Sequence, residues 1–135
     1  MLDPKHLQDM GLTGMLWVGL GGGFGSLLRW QVGKLVGERY QGNFPLATFL
    51  VNISGAFVFG YLSIYFAVSW QDRAGDALNT AILTGVLGGY TTFSTLMLDV
   101  LKLNGGNQRK LAQAYLAASV VLGLMAAWLG ALLAY

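Results

Sequence analysis

Charged residues divide this chain into long uncharged blocks. Asp, Glu, Lys and Arg are absent from residues 10–28, 40–71, 77–98 and 111–135. Each block can hold about the 20 apolar residues that a helix needs to cross a hydrocarbon core of ~30 Å, whereas a soluble bundle would show polar residues on every turn. The pattern therefore predicts an all-α integral membrane protein with four transmembrane helices, at about 12–36, 44–68, 78–103 and 111–135.

Composition supports lipid as the surroundings of these helices. Of the 135 residues, 55% are hydrophobic and only 10% are charged, against roughly 25% charged in a typical soluble domain. The connections between the blocks are too short for an extramembrane domain, so we expect a single domain, 1–135, that acts within a cell membrane as a multi-pass protein. A net charge of +2, dispersed along the chain, does not suggest nucleic acid as a partner.

Catalytic motifs are missing from the sequence. There is no nucleophile–base pair, no carboxylate dyad and no phosphate-binding loop, and "GLGGGFG" lies within a predicted helix rather than after a strand. The chain has no cysteine, which excludes thiolate chemistry and Cys-ligated metals. We therefore do not expect an enzyme.

Small residues recur four positions apart in three of the helices. This spacing lets membrane helices approach closely where no hydrophobic force joins them. The sets are Gly19/Gly23, Gly21/Gly25, Ala56/Gly60 and Ala126/Gly130/Ala134. Because four helices of this size can hardly enclose a hydrophilic path alone, we expect at least a dimer, with the path at or beside its interface.

The third block contains a stretch that reads like a loop. "GVLGGYTTFST", residues 85–95, holds three glycines and four serine or threonine residues, a composition that disfavours a continuous helix. A broken helix at membrane depth is tolerated where its backbone is buried in protein or lines a water-filled cavity, and its freed carbonyls then suit a small hard cation. The alternative is that the glycines pack helices together and the threonines bond back to their own helix.

Polar side chains inside the apolar blocks are candidates for function, because lipid offers them no hydrogen-bond partner. Arg29 is either an interfacial anchor or a fixed positive charge that draws anions toward a narrow passage. Asn52 shares a helix face with Thr48, and it either joins helices or donates its N–H to an anion. Tyr115 and Ser119, four residues apart on one face, either bond to a neighbouring helix or line a path.

No carboxylate lies deep in any block, and Asp99, near the end of helix three, comes nearest. Proton-coupled exchange normally needs an ionisable relay in the membrane. The runner-up class, a small dual-topology multidrug antiporter, would carry a deep glutamate in helix one, which this chain lacks. A third class, a structural membrane subunit without transport, leaves Asn52 without a role.

These motifs together resemble the Fluc/CrcB family of fluoride channels. The resemblance covers all four helices, through "GGGFGSLLRW", "FPLATFLVNISGAF", "GGYTTFST" and the Tyr115/Ser119 pair. It implies a passive fluoride-selective anion channel that exports cytoplasmic fluoride and reduces its toxicity. It also implies an antiparallel, dual-topology dimer with a break in the third helix, two pores and a central structural sodium ion (Na⁺).

The resemblance further implies roles for individual residues. The backbone carbonyls of Gly88 and Thr91 would bind the shared sodium ion, and Phe93 would present the positive edge of its ring to fluoride. The other residues of the fluoride pore, which are polar or charged, would be Asn52, Tyr115, Ser119 and, near the vestibule, Arg29.

The chain departs from the family pattern at two positions, with Leu96 where a second phenylalanine is common and Gly123 where a second serine is common. Its basic residues are also unevenly distributed. Apart from Arg29, the N-terminus and second loop carry two, while the first and third loops carry Lys34, Arg39, Lys102, Arg109 and Lys110. This count predicts that the first and third loops prefer the cytoplasm. We expect a dual-topology homodimer with a weak bias, and an oppositely oriented paralogue is the alternative partner.

Overall fold

The computed structural model describes residues 4–69 and 81–135, and within these ranges every regular element is helical. The elements are α1 (Pro4–Arg39), α2 (Leu46–Ser69), a π-helical segment (Ala81–Val86), α3 (Leu87–Tyr90), α4 (Phe93–Gly105) and α5 (Arg109–Leu133). The stretches long and apolar enough to cross a membrane are Gly11–Arg39, Leu46–Phe66, Ala81–Gly105 and Arg109–Leu133. The predicted all-α class with four membrane-spanning helices is therefore confirmed.

The first helix is longer than the uncharged block that predicted it. It begins at Pro4 instead of about residue 12, and at ~1.5 Å per residue it is ~54 Å long, well beyond a hydrocarbon core of ~30 Å. Proline suits the first turn of a helix, because the N–H that it lacks would have no partner there. The absence of charge thus marks the apolar part of a helix but not its polar extension. Residues 70–77 of the predicted second loop and residues 78–80, the predicted start of helix three, lie outside the described residues.

Glycines set the closest contacts between α1 and the third spanning stretch. A Cβ added at Gly25 of α1 would overlap the carbonyl oxygen of Val86, and one at Gly21 would overlap that of Ala81. In the opposite direction, a Cβ at Gly89 of α3 would overlap the backbone of α1. The two backbones therefore interlock without side chains between them, as the Gly21/Gly25 spacing predicted.

The second close pair is α2 with α5. A Cβ at Gly60 would overlap the carbonyl oxygen of Ala127, and one at Gly130 would overlap the backbone of α2. The Gly19/Gly23 pair differs from the other predicted sets, since no described atom lies within 4 Å of a Cβ at either position. That side of α1 is therefore uncovered in the single chain.

A small hydrophobic core joins α4 to α5. Its buried members are Leu96, Leu103, Ala112 and Tyr115. Phe44, just before α2, packs its ring edge-to-face on Tyr115 with the centroids 5.3 Å apart. The connection between the two helices turns at Asn107, where the positive φ of 62° suits asparagine. This core determines which face of α5 lies against the third spanning stretch.

Candidate functional site

The third spanning stretch has two extended residues near its centre. α3 ends at Tyr90, the backbone is extended at Thr91 (φ −76°, ψ 160°) and Thr92 (φ −152°, ψ 120°), and α4 begins at Phe93. Thr92 caps the new helix, since its hydroxyl accepts the N–H of Thr95 at 3.2 Å. Extended backbone at this point leaves peptide groups that a continuous helix would pair internally.

Asn52 of α2 satisfies two of those backbone groups. Its Nδ2 donates to the carbonyl oxygen of Thr92 at 2.9 Å, and its Oδ1 accepts the N–H of Thr92 at 2.8 Å. The carboxamide therefore pairs with one residue as a neighbouring strand would. An amide nitrogen carries two hydrogens, so a second Nδ2 hydrogen remains beyond this pairing. These two hydrogen bonds agree with a helix-joining role for Asn52. The second Nδ2 hydrogen is the one that could be donated to an anion.

Side chains of α1 reach the same two-residue interruption from another side. Nη1 of Arg29 donates to the carbonyl oxygen of Thr91 at 3.2 Å. Oγ of Ser26, one turn earlier, donates to the carbonyl oxygen of Gly89 at 3.4 Å. An interfacial anchor would not need this contact, so the guanidinium of Arg29 has a partner that the anchor interpretation does not explain.

An open groove of about 720 Å³ runs beside the interruption, with walls from α2, α5 and the third spanning stretch. Five of the seven residues predicted for the pore and the cation site line it: Asn52, Gly88, Thr91, Phe93 and Ser119. Phe93 is 73% exposed, whereas Leu96, one turn later, is 7% exposed and belongs to the core. The fold thus gathers most of the predicted residues along one surface.

Ser119 presents a hydroxyl without a partner to this groove. The residue is 8% exposed, and its Oγ has no hydrogen-bond partner among the described residues. Leaving a buried polar group unsatisfied costs ~1–3 kcal/mol. A ligand that accepts a hydrogen bond would remove this cost.

Tyr115 lies in the core instead of on the groove. It is fully buried, and its hydroxyl donates to Oδ2 of Asp99 at 3.4 Å. Tyr115 and Ser119 therefore share a face of α5, but their hydroxyls have different surroundings. The pore roles of all five residues, Asn52, Phe93, Tyr115, Ser119 and Arg29, stay predictions.

Two backbone carbonyls at the interruption suit a small hard cation. The N–H of Thr92, which a continuous helix would give to the carbonyl of Gly88, donates to Asn52 instead, and this releases the Gly88 carbonyl. The Thr91 carbonyl keeps one lone pair beside its contact with Arg29. Both oxygens therefore fit the sodium site implied by the resemblance, with the positive charge of Arg29 opposing a cation there.

Ser26, Thr92 and Asp99 form contacts at or near the site that sequence reasoning did not assign to them. Thr92 is 9% exposed and bonds to Asn52, Ser94 and Thr95. Threonine is a favoured residue just before a helix, so the capping role of Thr92 had a signal in the sequence. The contact of Asp99 with Tyr115 had none, because it depends on how α4 packs on α5.

The sequence of this chain is similar to those of known proteins. Residues 16–131 match the family described as "CrcB-like protein, Camphor Resistance (CrcB)". The chain is similar to "Fluoride-specific ion channel FluC 3" of Yersinia pestis, at 63% identity over 121 residues that cover 90% of this chain and 96% of that protein. It is similar to "Fluoride-specific ion channel FluC 1" of Brucella melitensis, at 62% identity over 120 residues (89% and 98% covered). A more distant relative is "Fluoride-specific ion channel FluC 1" of Listeria monocytogenes, at 37% identity over 123 residues (90% and 98% covered).

Proposed function

The chain belongs to the CrcB family of membrane proteins, and from that premise we propose that it is a passive fluoride-selective channel that exports cytoplasmic fluoride. Relatives at 63% and 62% identity carry the name fluoride-specific ion channel. A channel of this kind is a transporter rather than an enzyme, and four membrane-spanning helices make it a multi-pass membrane protein.

Passive flow is sufficient to export fluoride. Fluoride enters cells as neutral hydrofluoric acid and is trapped as the anion at neutral pH. The inside-negative potential drives an anion outward, by ~2.3 kcal/mol per charge for each 100 mV. Neither an ATP site nor a deep proton relay is needed, which agrees with the absence of carboxylates from the four uncharged blocks.

The hydroxyl of Ser119, which has no hydrogen-bond partner among the described residues, is the observation that carries this proposal. It is a buried donor in a groove with mostly apolar walls. The exposed ring of Phe93 lies in the same groove and offers a positive edge to an anion. With the second N–H hydrogen of Asn52, these groups would replace part of the tight hydration shell of fluoride, and the larger chloride ion would gain less from them.

An antiparallel homodimer is the assembly that this function would use. The groove is open along one side, and Gly88, Gly19 and Gly23 have no described neighbour within 4 Å of a Cβ position. A second copy on these surfaces would close one groove in each protomer and so form two pores. The carbonyls of Gly88 and Thr91 would hold a central sodium ion, whose positive charge would join the two chains.

Purified protein in liposomes is expected to release fluoride electrogenically and to exclude chloride. Efflux should begin when valinomycin supplies a potassium counterflow, because an anion current alone builds a voltage that stops it. A fluoride electrode gives the rate, and a chloride electrode under the same conditions gives the control. Flux that requires a pH gradient, or chloride efflux at a similar rate, would overturn the proposal.

Replacing Gly88 by leucine is expected to abolish the dimer and fluoride efflux while the single chain stays folded. No described atom lies within 4 Å of a Cβ at Gly88, so a larger side chain would extend into the groove, toward the proposed partner and ion. Thr91→Ser is the matched control, because it keeps both the carbonyl and a hydroxyl like the one that donates to Leu87. Circular dichroism measures the helix content, and sedimentation measures the fraction of dimer in buffer with sodium and in buffer without it. A dimer and a flux that survive exhaustive sodium removal would contradict the cation site.

A further inference from the structure

We propose that Arg29 and Asn52 hold the two ends of a single peptide group, the one between Thr91 and Thr92, and that this grip positions Phe93 in the groove. Arg29 is then a positioning residue as well as a positive charge. The grip itself follows from contacts within the chain, while its consequence for ion selectivity rests on the proposed fluoride conduction.

The Thr91–Thr92 peptide is contacted at both of its polar ends. Its carbonyl oxygen accepts from Nη1 of Arg29 at 3.2 Å, and its N–H donates to Oδ1 of Asn52 at 2.8 Å. Because the peptide unit is planar and rigid, two contacts at opposite ends fix its orientation. α1 and α2, which supply the two side chains, therefore act on one point of the third spanning stretch.

The two contacts strengthen each other. A guanidinium next to the carbonyl draws electron density from the amide and makes its N–H a better donor to Asn52. Asn52 also donates to the next carbonyl, that of Thr92, at 2.9 Å. Three successive backbone polar groups are thus contacted by side chains, and the first two, the Thr91 carbonyl and the Thr92 N–H, lie before α4 begins, where lipid would supply no partner.

Phe93 follows this peptide directly and opens α4. Phe93 is 73% exposed, so neighbouring side chains restrain it little, and the backbone before it sets the direction in which its side chain leaves the helix. Rotation of the Thr91–Thr92 peptide would also disturb the cap that Thr92 makes with Thr95. A grip on the peptide therefore determines where the ring edge meets a passing ion.

The helices pack through contacts other than this grip. α1 meets the third spanning stretch at Gly21 and Gly25, and α2 meets α5 at Gly60 and Gly130. These are backbone contacts and involve neither Arg29 nor the carboxamide of Asn52. Loss of the grip is therefore expected to change the groove before it changes the fold.

The substitution Arg29→Lys distinguishes a grip on the peptide from a simple positive charge. Lysine keeps the charge of Arg29, but its side chain is one atom shorter, so its ammonium ends short of the position from which Nη1 contacts the Thr91 carbonyl. A vestibule charge should survive Arg29→Lys and weaken with added salt. A grip should be lost in Arg29→Lys as it is in Arg29→Gln, at any salt concentration.

The test compares the wild-type chain with Arg29→Lys, Arg29→Gln, Asn52→Leu and the double variant Arg29→Gln/Asn52→Leu. Hydrogen–deuterium exchange at the Thr92 amide measures the grip directly, and fluoride and chloride efflux from liposomes measure selectivity. The matched control is Lys34→Gln, which removes a positive charge from an exposed position further along α1.

All three single variants are expected to accelerate exchange at the Thr92 amide at least ~10-fold and to lower the selectivity for fluoride over chloride. The double variant should show no faster Thr92 exchange and no lower selectivity than the more strongly affected single variant, because both changes act on one peptide. Lys34→Gln should behave as the wild type does.

Three results would overturn the grip: unchanged Thr92 exchange in Arg29→Gln, wild-type behaviour of Arg29→Lys, or additive losses in the double variant. Should Asn52→Leu fail to fold, the two Arg29 variants decide the question. If the wild-type chain passes no fluoride, the proposed function fails, and the exchange measurement still decides for or against the grip.

Discussion

Replacing Phe93 by isoleucine is expected to lower fluoride efflux at least ~10-fold, which corresponds to ~1.4 kcal/mol in barrier height. Isoleucine keeps similar bulk, but an aliphatic chain has no quadrupole to offer an anion. The ring of Phe93 is 73% exposed along the groove, so the substitution opens no cavity in the core. Leu96 cannot take over the electrostatic role, since it has no ring and is buried in the core.

Phe24→Ile is the matched control for this substitution. Phe24 of α1 is 57% exposed and is not part of the groove lining, so the same change there should leave efflux unaltered. Size-exclusion chromatography establishes that both variants assemble as the wild type does. A folded, dimeric Phe93→Ile protein that carries fluoride at the wild-type rate would remove Phe93 from the pore. Equal losses in the two variants would also contradict a specific role for the Phe93 ring.

Replacing Gly25 by valine is expected to prevent α1 from docking on the third spanning stretch, at a cost of ~3 kcal/mol, the upper end of the usual cost of overpacking. Even the first carbon of the new side chain would overlap the carbonyl oxygen of Val86 and lie 2.8 Å from the nitrogen of Tyr90. Both are backbone atoms, which cannot swing aside as the end of a flexible side chain does. Arg29, one turn along α1, would also move away from Thr91, so efflux should be lost together with stability.

Gly33→Val on the same helix is the control, because no described atom lies within 4 Å of a Cβ at Gly33. Thermal unfolding followed by circular dichroism gives the midpoint of each variant. The expected result is a large decrease for Gly25→Val and little change for Gly33→Val. A Gly25→Val protein with a wild-type midpoint would show that α1 and the third stretch do not pack backbone to backbone.

The membrane-spanning helices were predictable because a bilayer imposes its requirement on each segment separately. Residues 111–135 carry no charge, and α5, Arg109–Leu133, follows that block closely. The polar start of α1 was not predictable in this way, since Pro4 and the residues after it have no apolar stretch to identify them. Glycine spacing predicted close helix packing. The prediction is correct for Gly21/Gly25, whereas no described residue of the chain packs against Gly19/Gly23.

The sequence by itself determined the class of protein, the four spanning helices and the family, because hydrophobic length and short motifs are local properties of a chain. Only the tertiary structure decided which polar groups meet. Asn52 lies 40 residues before Thr92, and Arg29 lies 62 residues before Thr91, so each contact depends on the rotation and height of one helix against another. Backbone contacts at glycines such as Gly25 set that register, and no local pattern contains it. The same helix packing turned the hydroxyl of Tyr115 toward the core, and it left that of Ser119 buried at the groove without a partner among the described residues.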